Sequence, residues 1–231
     1  ASRISLNTEV STVNIQDKSI KTKDGNTIHF ENLLSTMPID ILCKKIEGIA
    51  PEIIHSSKEL LYSSTHIVGI GVEGPTPENL SKKCWLYFPE DNCPFYRVTV
   101  FSNYSPNNVP DNKNQYSLMT ETSESADKSV SQQSIVQETI DGLIATKLLG
   151  STHKIVSKFH KRFEYGYPTP SLTRDSVLKK CIPYLENHQI FSRGRFGAWK
   201  YEISNQDHTF MQGVEWVNKI VNGVMEETFN L

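Results

Sequence analysis

Ser63-Ser64-Thr65-His66-Ile67-Val68-Gly69-Ile70-Gly71-Val72 reads as one long strand, and the segments after it decide what kind of sheet it joins. Lys83 to Phe88, Phe95 to Tyr104 and Tyr116 to Glu121 are also strand-like, and Pro and Gly punctuate the gaps between them. Those gaps are too short for helical crossovers, so an antiparallel sheet is expected. Ser105 to Gln115 and Ser123 to Ser134 are poor in apolar residues and rich in Asn, Ser, Asp and Lys, which predicts surface loops.

Downstream, Val136, Ile140, Leu143, Ile144 and Leu148 follow helical spacing, so Ser134 to Leu149 should be an amphipathic helix with one face on the sheet. Lys154 to Tyr165 is a further strand, and the two prolines of Gly166-Tyr167-Pro168-Thr169-Pro170 should end its pairing. Thr173 suits the cap of a helix carrying Val177, Leu178, Cys181 and Leu185. Asp207 suits the cap of a last helix, on which Phe210, Val214, Val217 and Val221 repeat at four and three.

Upstream, Ile4 to Phe30 alternates and is β-branched, and Lys23-Asp24-Gly25-Asn26 carries the residues of a hairpin turn. The strand-like run begins at Ile4-Ser5-Leu6-Asn7-Thr8-Glu9-Val10. Leu33 to Met37 is a short buried type of strand, and Pro38 followed by Asp40 suits entry to a helix towards Ile46. A strand-rich middle is therefore flanked by two pieces of sheet-and-helix structure.

The chain has 231 residues, 37% hydrophobic and 22% charged, a composition that supports one or two cores and excludes wholesale disorder. With 24 basic residues scattered among 26 acidic ones and a net charge of −2, no basic stripe exists to neutralise nucleic acid. No apolar stretch approaches the roughly 20 residues that cross a bilayer. No charged-then-apolar leader opens the chain, and a soluble, cytoplasmic protein is expected. Cys43, Cys84, Cys93 and Cys181 form no close pair, and the histidines share no helix-face spacing, so reduced thiols and no metal are expected. Gly69, Gly71 and Gly74 satisfy G-x-G-x-x-G, but Pro75-Thr76-Pro77 follows where a dinucleotide site needs a helix. Close strand packing is the better reading of these glycines.

Three segments hold more aromatic, Arg and amide residues than a core requires. They are Cys84 to Arg97 continuing through Phe101-Ser102-Asn103-Tyr104-Ser105, then Glu164 to Pro170, then Gly194-Arg195-Phe196-Gly197-Ala198-Trp199-Lys200-Tyr201-Glu202 leading to Asn205-Gln206-Asp207-His208. Arg97 and Arg195 offer planar forks that suit a diphosphate, and tyrosines can donate to phosphate oxygens while stacking on a base or sugar. For any one of these residues taken alone, a half-buried tyrosine or an arginine paired with Asp or Glu is the plainer reading. One spacing is awkward, because Arg97 and Tyr104 would point to opposite faces of a straight strand. Either a bulge intervenes or the strand ends first and a loop carries Tyr104 back.

Together the three segments resemble the carboxyl-terminal half of the eukaryotic UDP-galactopyranose mutases, within the wider flavin amine oxidase fold. The resemblance runs from Leu33-Leu34-Ser35-Thr36-Met37 through Ser63-Ser64-Thr65-His66 to Gln206-Asp207-His208. It implies a mixed α/β (α+β) chain in which an antiparallel substrate sheet occupies 48–189. Parts of an FAD-binding domain would occupy 1–47 and 190–231, the dinucleotide-binding βαβ unit being absent. The implied activity is an isomerase that interconverts UDP-galactopyranose and UDP-galactofuranose, with reduced FAD as nucleophile towards the anomeric carbon. Matched by motif, Arg97 would grip the substrate diphosphate and Tyr87, Tyr104, Tyr167 and Tyr201 would hydrogen-bond it, while Trp85 would either pack beside the sugar or serve as a structural tryptophan. Arg195, Asn205 and Gln206 match positions near flavin and sugar, and Asp207 would open a helix whose positive end faces the flavin pyrimidine.

The chain begins at Ala1 as though cut from something longer, and the family's glycine-rich ADP-binding opening has no counterpart, so an upstream FAD-binding segment is the expected partner. UDP-galactose is the expected substrate, with no nucleic acid and no membrane, and a homo-oligomer is compatible. Two other classes remain: a non-catalytic nucleotide-sugar binding remnant, and a flavin amine oxidase-type oxidoreductase.

Overall fold

The computed structural model describes residues 3–229, which divide into two compact units. One consists of residues 1–62 with 167–231, and the other of residues 63–166. The expected borders lay at 47/48 and 189/190. The helices at 51–57 and 174–187 pack on each other and on the outer segments, within the discontinuous unit.

In the discontinuous unit the first strand begins at Val10, not Ile4; Asn7 turns the backbone to φ 54°, and Ile4 and Leu6 stay exposed. Strands β1 (Val10–Asn14), β2 (Ser19–Thr22) and β3 (Thr27–His29) form the expected antiparallel meander. Gly25 supplies φ 89° at the second turn. After β4 (Leu33–Ser35), helix α1 (Ile39–Lys45) starts behind Pro38 with Asp40 in its first turn. Strand β5 (Ile46–Glu47) then pairs in parallel with β1. Helix α2 (Pro51–Ser57) carries proline at its first position, where the missing N–H costs no hydrogen bond.

The contiguous unit holds the expected sheet. Strands β6 (Tyr62–Glu73), β7 (Trp85–Tyr87), β8 (Arg97–Val100) and β9 (Gln115–Glu124) are followed by helix α3 (Ile135–Ala145) and β10 (Ile155–Pro168). The order across the sheet is β10-β6-β9-β8-β7, with the four strands from β6 to β7 antiparallel. Register sorts its residues into two faces. On one, Val68, Ile70, Val72, Val98, Val100, Tyr116 and Leu118 pack with Ile135, Ile140 and Leu143 of α3 in one buried core. Gly69 and Gly71 belong to the other face, where added Cβ atoms would meet Phe159 Cβ at 3.4 Å and Ser157 Oγ at 2.2 Å. Gly71 is thus a packing device with Gly69 beside it, whereas Gly74 has open space around it and supplies a φ of 115°.

The prolines do not stop β10 where expected. Pro168 is its last residue, at the edge of the sheet, and the Thr169 amide still donates to the Leu61 carbonyl at 2.8 Å. The remaining elements are α4 (Arg174–Asn187), β11 (Ile190–Ser192), parallel to β4, and α5 (Gln206–Asn222). Thr173 takes the N-cap position of α4 without a side-chain cap bond. Asp207 does not cap α5; Asn205 occupies that position, again without a side-chain bond, and Asp207 lies in the first turn.

Cys43 and Cys181 are buried free thiols, and their mutual hydrogen bond together with burial pushes the Cys43 thiol far up. Cys84 is exposed and Cys93 half-buried. Among the described residues no helix is long and apolar enough to cross a membrane.

Candidate functional site

In the contiguous unit, Arg97 lies opposite Tyr87 on one side and Glu121 on the other, so the three share the sheet face away from α3. The next row on that face is Trp85, Thr99, Met119 and Gly69. Trp85 and Tyr87 are 58% and 62% exposed, an unusual display for large aromatic side chains on a sheet. The Arg97 guanidinium lies 5.8 Å from the Trp85 ring centroid, within cation–π range.

The spacing of Arg97 and Tyr104 is resolved by an early end to the strand. β8 stops at Val100, a 3-10 turn at Phe101–Asn103 follows, and the Tyr104 amide donates to the Phe101 carbonyl at 3.2 Å. Tyr104 consequently stands edge-on to Trp85, ring centroids 6.4 Å apart. Tyr87, Arg97, Trp85 and Tyr104 therefore form one cluster.

Behind the arginine stands a partner that residue type alone does not mark. Glu121 Oε1 accepts from Arg97 Nε at 2.8 Å and Nη2 at 2.5 Å, and its Oε2 accepts from Tyr96 Oη at 2.7 Å. The signal was an acidic residue within an otherwise uncharged β-rich run from Gln115 to Ser123, which becomes a partner only once register is known.

The discontinuous unit holds a second cluster. Arg195 lies over the Tyr167 ring at 4.8 Å, and the Tyr167 and Tyr201 ring centroids are 5.9 Å apart. Tyr201 opens a 3-10 turn, Tyr201–Ile203, that is held by a two-pronged Arg174–Glu202 pair, both contacts at 2.8 Å. Asn205 and Gln206 open α5. Its first-turn amides and positive dipole end favour an anionic or acceptor group, an attraction that Asp207 in the same turn partly offsets.

The turn bearing Arg195 is fixed from below. Gly194 takes φ 83° and donates its amide to Gln212 Oε1 at 2.8 Å, while Gln212 Nε2 donates to the Ile203 carbonyl at 2.9 Å. Gln212, fully buried on α5, so links the Arg195 turn to the Tyr201 turn; this too was unread in the sequence.

A flavin would find partial support here. Arg195, the uncapped start of α5 and the Tyr167–Tyr201 pair suit the ring end of the group. Among the described residues, no helix follows a glycine-rich turn after a strand in the way the ADP end requires.

The antiparallel sheet with its flanking strand-and-helix segments is a fold that solved structures of other proteins share. A fatty acid isomerase from P. acnes shares it at 13% identity and TM-score 0.63, over 93% of this chain and 48% of that one. A candidate protoporphyrinogen oxidase from Exiguobacterium shares it at 14% identity and TM-score 0.60, over 80% and 40%. Both similarities speak to fold alone. Far more similar is a reduced UDP-galactopyranose mutase, at 43% identity and TM-score 0.92 over 96% of this chain. The chain spans 47% of the length of that protein. No protein-family model matches the chain.

Proposed function

We propose that this chain is the carboxyl-terminal portion of a flavin-dependent mutase that interconverts UDP-galactopyranose and UDP-galactofuranose. The observation that carries this reading is Arg97, held by Glu121 among Trp85, Tyr87 and Tyr104 on one sheet face. A guanidinium among phenols binds a diphosphate by charge-assisted and neutral hydrogen bonds together, and the aromatic faces accept a sugar or base. An oxidase acting on an amine has no use for a cation at that place.

In this reading Tyr167 and Tyr201 add further phosphate donors. Arg195, Asn205 and Gln206 hold the ring end of FAD, and Asp207 shapes the electrostatics of the same helix start. Reduced flavin supplies the nucleophile for the anomeric carbon, and this chain's residues bind and orient the substrate. The ADP end of FAD is held by an upstream flavin-binding segment, and the assembled enzyme works in the cytoplasm.

UDP added to the purified chain should change tryptophan fluorescence saturably, and Arg97→Ala should weaken that binding by at least about tenfold. Conversion of UDP-galactofuranose under reducing conditions, with a flavin-binding segment supplied, tests the activity. UDP binding without turnover would favour a non-catalytic nucleotide-sugar module. No UDP binding at all would sink the reading.

A further inference from the structure

Glu121 is 5% exposed, and Arg97 and Tyr96 occupy both of its carboxylate oxygens. Its backbone carbonyl also accepts the Tyr96 amide at 3.0 Å, so main chain and side chain both hold Tyr96, and the side chain holds Arg97 as well. A buried carboxylate is costly unless paired and hydrogen-bonded, and this one meets that condition through the arginine assigned above to the diphosphate.

We propose that Glu121 is the positioning residue for Arg97, with Tyr96 holding the carboxylate in place, so that the guanidinium plane is set before a nucleoside diphosphate arrives. The proposal rests on the reading of Arg97 as a diphosphate ligand. A free arginine side chain samples many rotamers and must lose that freedom on binding. Here the Nε–Nη2 edge is tied to one oxygen, and the Trp85 and Tyr96 rings both lie within cation–π range, with centroids 5.8 Å and 6.0 Å from Cζ.

A carboxylate at this place also repels an incoming anion. Orientation and repulsion have opposite signs in a binding measurement, which makes the proposal decidable. If Glu121 were only a counter-charge, removing its charge would tighten UDP binding. If it orients Arg97, removal loosens binding, and only while the arginine fork is present.

The test is a double-mutant cycle on the full chain. UDP is titrated and followed by tryptophan fluorescence, and a thermal melt of each variant checks folding. Glu121→Gln should weaken UDP binding about tenfold, and in an Arg97→Lys background it should cost less than about twofold further. Should Glu121→Gln fail to fold, Tyr96→Phe carries the cycle, with an expected loss of about threefold that disappears beside Arg97→Lys.

Unchanged or tighter binding by Glu121→Gln overturns the proposal, and so do losses that simply add to those of Arg97→Lys. If the parent chain binds no UDP, the diphosphate reading falls and the role of Glu121 falls with it. Binding by the parent that Glu121→Gln retains overturns the role of Glu121 alone.

Discussion

At the scale of single residues, the turn that carries Arg195 is the most constrained place in the discontinuous unit. Gly197 has no room for a side chain: a Cβ there would lie 2.1 Å from the Arg193 carbonyl oxygen, and backbone cannot move aside as a flexible side chain can. Trp199, two residues on, adopts φ 54°, rare for a bulky residue, and is fully buried with Nε1 donating to the Leu61 carbonyl at 3.0 Å. That hydrogen bond and the burial of the indole hold a backbone conformation costing about 1–3 kcal/mol. Gly197→Ala should therefore cost about 3 kcal/mol or more, read as a lower urea midpoint with unchanged slope, whereas Gly213→Ala, where nothing lies within 4 Å of the new Cβ, should be neutral or slightly stabilising. Sequence showed a G-R-F-G segment dense in functional side chains; that its second glycine is a steric necessity emerges only from the fold.

At the scale of elements, two features of α5 pull in different directions. Its repeat of Phe210, Val214, Val217 and Val221 was legible as an amphipathic helix, yet Phe210 and Val221 are 73% and 71% exposed and the other two are also exposed. Because exposed side chains add little to folding, Phe210→Ser with Val221→Ser should leave the urea midpoint nearly unchanged, a shift of at most about 1 kcal/mol, while reducing fluorescence of a bound apolar dye. The helix is held instead by buried Gln212 and by contacts at its far end. Arg193, almost fully buried, takes Glu226 through Nε and Nη2 at 2.7 Å each, and Lys219 of α5 adds a contact to Glu226 at 2.8 Å. Burial works to raise the Glu226 pKa, but the Arg193 and Lys219 bonds outweigh it, and the carboxyl ends below its ordinary value of 4.5. The sign follows from that. Above the ordinary value both folded and unfolded chains carry the charge and the full stabilisation is present. As pH falls the unfolded chain takes the proton first, and stability drains away until the folded value is passed. Glu226→Gln should flatten this acid limb of a melting-temperature profile, and Glu226→Ala should cost about 3 kcal/mol at neutral pH by leaving Arg193 under-compensated. What could be read from sequence was periodicity and turn chemistry: the hairpins, the antiparallel sheet, α3 and α5. What could not be read was set by contacts distant along the chain. α2 is too short to show a period, β10 runs past its expected stop to an edge-strand proline, and Thr173 and Asn205 reach cap positions without using their side chains. Of the site, the residue types stood out in sequence, whereas their supports Glu121 and Gln212 depend on register and on a helix face.

At the scale of the whole molecule, the two compact units differ in how the chain builds them. Residues 63–166 form one from a single stretch, while the other needs both 1–62 and 167–231. The single stretch encloses its own core of sheet and helix, from Val68 through Phe95 and Leu118 to Leu143 and Leu149, so its folding draws mainly on contacts it carries with it. It also carries Arg97, Glu121, Tyr96, Tyr87, Tyr104 and, of the three tryptophans in the protein, only Trp85. A fragment spanning 63–166 should unfold in urea as one cooperative transition, with circular dichroism dominated by strand. Because Trp85 stands within cation–π distance of Arg97, that fragment becomes a one-probe reporter of the anion site. UDP should shift its emission with an affinity below that of the full chain, and Arg97→Ala should abolish the shift. A fragment that shows only an unfolded baseline would mean that the sheet depends on the remaining segments for its stability; a folded fragment blind to UDP would mean that the arginine cluster on this face does not bind the nucleotide without them.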